Sequence, residues 1–125
     1  VRIEIIKKDK SKNIVKDKKI GNILIREQIL KDFPPKELRK VIDEGKKDIK
    51  SGIVISISIF EDKIGLAVGV SKDLTSKYDA VVLAKAASVI LGGKGGGGRK
   101  DFAQAGGVDK SKIEEAFKEI SKKIS

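Results

Sequence analysis

Two hydrophobic periods divide this chain. Ile53, Ile55, Ile57 and Ile59 alternate with Val54, Ser56 and Ser58, the two-residue period of a strand. After the polar connection Glu61-Asp62-Lys63, Ile64, Leu66, Val68 and Val70 interleave with Gly65, Ala67 and Gly69. The pair predicts a hairpin with one bulky face and one face of small residues, and a second element lying close on the small face. The helix predicted from Asp79 to Leu91 is the candidate for that approach, because its residues are apolar almost all round and call for burial. Upstream, Arg2 to Ile6 reads as a short strand entering a Lys-rich turn, and Ile20 to Leu30 as a second strand with Gly21 and Asn22 near its start. Phe33-Pro34-Pro35 breaks the chain, and Pro35 suits the first turn of a helix carrying Leu38, Val41, Ile42 and Ile49, with Gly45 a tolerated defect. Downstream, Phe102 to Ala105 reads as a last strand and Gly106-Gly107 as a turn. Ser111-Lys112-Ile113-Glu114 reads as a capping box opening a helix to about Ile124, with Ile113, Ala116, Phe117, Ile120 and Ile124 as its buried stripe. These elements predict one small α/β domain over residues 20–125, with a mixed sheet of about four or five strands and three helices, preceded by a basic lead-in segment, residues 1–19.

Composition narrows the chemistry. At 125 residues, with 39% hydrophobic and 37% charged positions, the chain is long enough for one core and too short for two full domains. It has no Cys and no His, which excludes disulfides, thiolate zinc sites and the commonest general base; no catalytic and no metal-binding residues are assigned. It also has no Met and starts at Val1 without a signal-peptide pattern, so the expectation is a piece of a larger intracellular protein. Lys and Arg total 28 against 18 acids, a formal charge of +10 that favours polyanions. Residues 1–19 carry eight of those cations against three acids, net +5, and read as a solvated arm. With 24 Lys, 4 Arg and 19 Ile, the composition also fits a heat-adapted or AT-rich source, so charge alone does not establish nucleic-acid binding.

One segment stands apart. Eight of the 13 glycines lie between 92 and 107, and six of the seven residues Gly92–Gly98 are glycine. Ordering such a run is entropically costly, so it needs a reason. A backbone without Cβ atoms can offer its N–H groups to phosphate or ribose, with Lys94, Arg99 and Lys100 supplying charge; a plain flexible loop is the alternative. A nucleotide-triphosphate loop is excluded, since Gly93-Lys94 is followed by Gly95 where Ser or Thr is required. Arg99 is the strongest candidate contact, because a guanidinium can fork onto phosphate, with an ion pair to Asp101 as the competing role. Gln104 is a candidate for base or sugar, and Lys72, Lys77, Lys94 and Lys100 for phosphate. Lys85, alone on an apolar helix, reads as reaching to solvent. A helix N-terminus after Gly106-Gly107 is a weaker candidate anion site, for which a plain turn and cap is the favoured account. With only Tyr78 and four Phe, the composition argues against a base-stacking platform.

The stretch from Gly92-Gly93-Lys94-Gly95-Gly96-Gly97-Gly98-Arg99 through Ala103-Gln104-Ala105-Gly106-Gly107 resembles the signature near the C-terminus of the alanyl-tRNA synthetase family, in the domain shared with the DHH (Asp-His-His) phosphoesterases. In that family it usually runs Gly-Gly-(Lys or Arg)-Gly-Gly-Gly-Arg, two variable positions, then Ala-Gln-Ala-Gly-Gly; this chain has one extra Gly and places Lys100 where Pro is common. Lys36-Glu37-Leu38-Arg39, Val68 to Leu74 and Ala84 to Leu91 also resemble the family, so the likeness runs over roughly residues 20–124. The resemblance implies a domain that binds tRNA-Ala and tethers it to aminoacylation and editing modules; the residues read as contacting it are Lys94, Gly95, Gly96, Gly97, Gly98, Arg99, Lys100, Gln104, Lys72 and Lys77. This chain carries none of their motifs, so the fragment should bind without catalysing. ATP, magnesium and zinc are implied only elsewhere in the full-length ligase. The resemblance further implies a cytoplasmic location and admits a homodimer, while the charge admits non-specific DNA binding and nothing suggests a membrane. The alternative is the substrate-binding domain of a DHH-family phosphoesterase acting on short oligonucleotides, against which stands Arg99 where those enzymes typically have His. A third reading makes the domain chiefly a dimer-former.

Overall fold

A computed structural model describes residues 13–20, 23–31, 33–60, 63–93 and 96–124. The strand expected at 2–6, and the Lys94 and Gly95 contacts, lie outside the described residues. Strands β1 (Asn13–Ile20), β2 (Ile23–Lys31), β3 (Gly52–Phe60), β4 (Lys63–Val70), β5 (Gly96–Gly98) and β6 (Phe102–Gly107) form one sheet in the order β1-β2-β3-β4-β6-β5. Helix α1 (Leu38–Ile49) follows a 3-10 turn at Pro35–Glu37 and connects β2 to β3, the one parallel pair. Helices α2 (Ala80–Ile90) and α3 (Ile113–Ile124) complete the mixed α/β architecture. The sheet has six strands instead of four or five, because the run read as Ile20–Leu30 starts a hairpin earlier and the glycine run adds a strand.

Volume complementarity assigns the helices to faces. In the β3–β4 register Val54, Ser56 and Ser58 lie opposite Gly69, Ala67 and Gly65, which makes one face small. That face is covered by α1 and not, as expected, by α2: Leu38 and Ile42 pack there with Leu30, Val54 and Ala67. A Cβ on Gly69 would sit 2.3 Å from Ile42 Cγ2, and one on Gly45 would sit 3.0 Å from Val54 Cγ1, so both glycines permit close approach, and Gly45 is no defect. The bulky face presents Ile53, Ile55, Ile57, Leu66, Val68 and Val70, all fully buried, and receives the small side of α2 (Ala80, Ala84, Ala87) together with Ala116, Phe117 and Ile120 of α3. Large side chains thus meet small ones across both layers, which is how a core reaches close packing without strained rotamers.

Three local expectations change. The helix α2 is not buried all round: Val82 is 52% and Val89 69% exposed, because an outer-layer helix meets the sheet on one side only. Gly106 and Gly107 are no turn but the end of β6, opposite Gly65 and Ile64. The last helix is entered through a 3-10 turn capped by Asp109, whose carboxylate accepts from Ser111 N at 3.0 Å, in place of a Ser111 capping box. That carboxylate occupies the helix entrance, which disposes of the candidate anion site there.

The lead-in segment also contributes structure, since its C-terminal part is strand β1. Arg26 on β2 donates to Asp17 on β1 at 2.9 and 3.2 Å and to Asp48 at the end of α1 at 3.1 Å. The Asp17 hydrogen bond is the largest influence on the guanidinium and raises its pKa against the opposing effect of burial. Lys18 pairs with Glu27 across the same hairpin at 2.8 Å. The charges Lys16, Asp17, Lys18 and Lys19 on β1, an edge strand among the described residues, also discourage further strand pairing.

Candidate nucleic-acid interface

The glycine run is rigidly presented. Strand β5 pairs with β6 through Gly96↔Ala105, Gly97↔Gln104 and Gly98↔Ala103. Arg99 N donates to Phe102 O at 2.6 Å and Phe102 N to Arg99 O at 3.2 Å, closing a tight turn around Lys100 and Asp101. Both turn carbonyls are anchored from outside. Asp101 O accepts from Val70 N at 2.9 Å and from Lys46 Nζ at 3.2 Å, and Lys100 O accepts from Ala80 N at 2.9 Å. The segment expected as a loop is therefore a hairpin fastened to β4, α1 and the start of α2.

Most of its glycines have internal reasons. A Cβ on Gly93 would lie 2.0 Å from Gly106 O, on Gly96 2.0 Å from Gln104 O, and on Gly107 2.4 Å from Leu91 Cβ. Gly92 (φ 80°) and Gly98 (φ 150°) hold backbone that other residues resist. Gly97 differs: a Cβ there meets nothing within 4 Å and its φ is ordinary. Gly106 is nearly as unconstrained, its Cβ meeting only Ile64 O at 3.4 Å. Gly97, Gln104 and Gly106 share the sheet face that α1 covers farther in, and among the described residues nothing covers that face at Gly97 and Gln104, both exposed, while Ala103 is buried on the opposite side. Arg39 of α1 borders this open strip, its guanidinium 5.2 Å from the centre of the Phe102 ring.

Charge gathers at one end of the strip. Arg99 and Lys100, both exposed, sit on the anchored turn; Lys72 follows the end of β4, and Lys77 precedes the helix whose first N–H bonds to Lys100. The Asp101 carboxylate lies 4.0 Å from Lys46, and among the described residues no ion pair joins it to Arg99. Five of the sequence-derived candidates, Lys72, Gly97, Arg99, Lys100 and Gln104, lie on the β5–β6 hairpin and the sheet end beside it, Gly96 and Gly98 serve the strand itself, and Lys77 instead lines a groove with Tyr78, Val82 and Lys123. Sequence reasoning missed Arg39 and Lys46. Their signal was present as two cations seven residues apart, two helical turns on one face of α1, reaching the successive residues Phe102 and Asp101. Beside this end, Asp73 accepts from Ser51 Oγ; that bond, and then Ser71, holds its carboxyl below the ordinary range.

An anchored backbone shelf with a cationic end can accept a polyanion at close range. Among the described residues no group of three or more acidic side chains could hold a metal, and no helix is long and apolar enough to cross a membrane.

The DHHA1 domain family matches residues 21–125. The alanine–tRNA ligase of Parvibaculum lavamentivorans is 49% identical over 98 residues, 78% of this chain and 11% of that protein. The enzyme of the same name from Bradyrhizobium diazoefficiens is 42% identical over 109 residues, 86% of this chain and 12% of that protein. The chain therefore spans only about a tenth of the length of the curated relatives it matches. Among solved structures, the C-Ala domain of Aquifex aeolicus alanyl-tRNA synthetase superposes with a TM-score of 0.82 at 33% identity, covering 88% of this chain and 98% of that one. A DHH domain described as a member of the s1p family of ribosomal proteins shares the fold at TM-score 0.58 and 16% identity, covering 98% of this chain and 30% of its own. With an anchored glycine hairpin, a matching family signature and ligase relatives along most of its length, this chain belongs to the DHHA1 domain family and is similar to the C-terminal domain of alanyl-tRNA synthetase.

Proposed function

We propose that this domain binds tRNA-Ala on the open face of the β5–β6 hairpin and holds it for the aminoacylation and editing modules of an alanine–tRNA ligase. The observation that carries the reading is Gly97, a glycine for which the fold itself supplies no steric or conformational reason. A surface that must let a sugar–phosphate backbone lie against a peptide backbone supplies one. Arg99, Lys100 and Lys72 then contact phosphate, and Gln104 a base edge or sugar. ATP, magnesium and zinc belong to other parts of the ligase, whose setting is cytoplasmic; this domain contributes binding alone.

The test is a salt series of binding to folded tRNA-Ala, an unrelated tRNA and duplex DNA of similar charge. The expected result is a tRNA-Ala preference that persists at moderate salt and falls at least tenfold in Gly97→Val and Arg99→Glu. Lys31→Glu, an equal charge change on β2, should have a far smaller effect. Arg99→Ala should reduce the slope of log K against log salt by about 1. Equal losses at Arg99 and Lys31, or equal binding to all three nucleic acids, would reduce the domain to a diffuse basic tether. Tight binding of short diadenylates with indifference to folded tRNA would move the function to the phosphoesterase reading.

A further inference from the structure

The outer face of α2 takes no part in the hairpin surface. Val82 and Val89, at 52% and 69% exposure, lie seven residues apart on one side of the helix with Lys85 exposed between them. At its C-terminal end the stripe continues to Val108, 66% exposed, which reaches within 3.2 Å of where a Gly92 Cβ would stand. At its N-terminal end it opens into a groove of about 310 Å³ lined by Tyr78, Val82 and Leu83, with Lys77 and Lys123 at the rim. The Asp79 carboxylate also lines the groove, but it is engaged in capping α2 through Val81 N at 2.9 Å.

We infer that this stripe is a docking surface for an amphipathic helix whose apolar face is flanked by acidic residues. The length fits: Val82 to Val89 spans about 10 Å at 1.5 Å per residue, and the extension to Val108 brings it to roughly three turns of a partner helix. A large apolar side chain of that helix fills the groove beside Tyr78. Charge selects the partner's sign, since Lys77 and Lys123 line the groove, Lys85 stands exposed between the valines, and Asp79, the acid that lines the groove among the described residues, is committed to a cap. The same charge disfavours a second copy of this chain, because a two-fold pairing of the stripe would set Lys85 against its own equivalent in a protein of net charge +10.

Three labelled peptides of about four helical turns would be titrated into the domain: one with a Leu face and Glu flanks, an isomer with Lys flanks, and the Glu peptide with Ser in place of Leu. The Glu–Leu peptide should bind in the micromolar range, and each of the other two at least tenfold more weakly. Val82→Asp with Val89→Asp should cost the Glu–Leu peptide at least tenfold, and Lys85→Glu several-fold, with melting temperature and tRNA binding unchanged. Absence of Glu–Leu binding, equal affinity for the Glu and Lys isomers, or indifference to the valine changes overturns the inference. So does a protein that sediments as a dimer and becomes monomeric on Val89→Asp, which would make the stripe a self-association surface. Val89-dependent capture on anionic vesicles without peptide binding would overturn it in favour of a lipid surface.

Discussion

Replacing Gly97 and Gly96 by alanine, one at a time, separates a glycine required by the fold from one required by something else. At Gly97 the new methyl meets nothing within 4 Å and the φ needs no change. The main effect is then the reduced freedom of the unfolded chain, worth about 0.4–1 kcal/mol of added stability. For a domain of this size that raises the melting temperature by about 2–4 °C. At Gly96 the methyl would lie 2.0 Å from Gln104 O and 2.6 Å from Ala105 Cα, both backbone atoms that cannot rotate away. Shifting β5 off its partner, or compressing the pair, costs about 1–3 kcal/mol and lowers the melting temperature by about 4–12 °C. Differential scanning calorimetry on the two variants and the parent measures both signs, and tRNA titration of Gly97→Ala supplies the second axis. A variant that is more stable yet binds tRNA more weakly is what an open shelf predicts. Destabilisation of Gly97→Ala equal to that of Gly96→Ala would mean that the shelf is closed by the protein itself, and the argument from Gly97 would fail.

Other expectations follow from the packing and the charges. Leu66→Ala, emptying a fully buried position between β4 and the α2–α3 layer, should cost about 2–5 kcal/mol by urea titration, whereas Val89→Ala on the outer stripe should stay within about 0.5 kcal/mol. Lys46→Met keeps the aliphatic cover over Gly69 and removes the donor to Asp101 O; it should speed hydrogen exchange at the Arg99 and Phe102 amides, and unchanged exchange there would show that the turn needs no such anchor. The Asp73 carboxyl should titrate below its ordinary value of 3.8, so its contribution is present above that value and fades as pH falls through the lowered one. Ser51→Ala should move the titration back up, and an unmoved carboxyl resonance would refute the assigned cause.

The sequence by itself determined the central elements and singled out the candidate site. Alternation in Gly52–Phe60 and Lys63–Val70 set the central hairpin and its two unequal faces, since a two-residue period leaves a strand no other way to bury its isoleucines. Helical spacing placed α1 and α3, and the clustering of Gly92–Gly98 with Arg99 and Lys100 marked the candidate interface. What tertiary structure alone decided was which helix meets which face. By composition α2 was the expected partner for the small face, and α1 took that place through the packing of Ile42 over Gly69, a contact between residues 27 apart in the chain. The same holds for the glycines. Along the chain they are identical, and only the approach of Gln104, Leu91 and Gly106 to particular backbone atoms tells those that the fold needs from Gly97, which it does not. Strand β1 was unreadable for a related reason: its alternation is masked by lysines whose partners, such as Glu27, lie on the neighbouring strand. Local pattern fixes what an element is, whereas steric fit and cross-strand charge, which depend on residues distant in sequence, fix what it touches and which of its surfaces remain free.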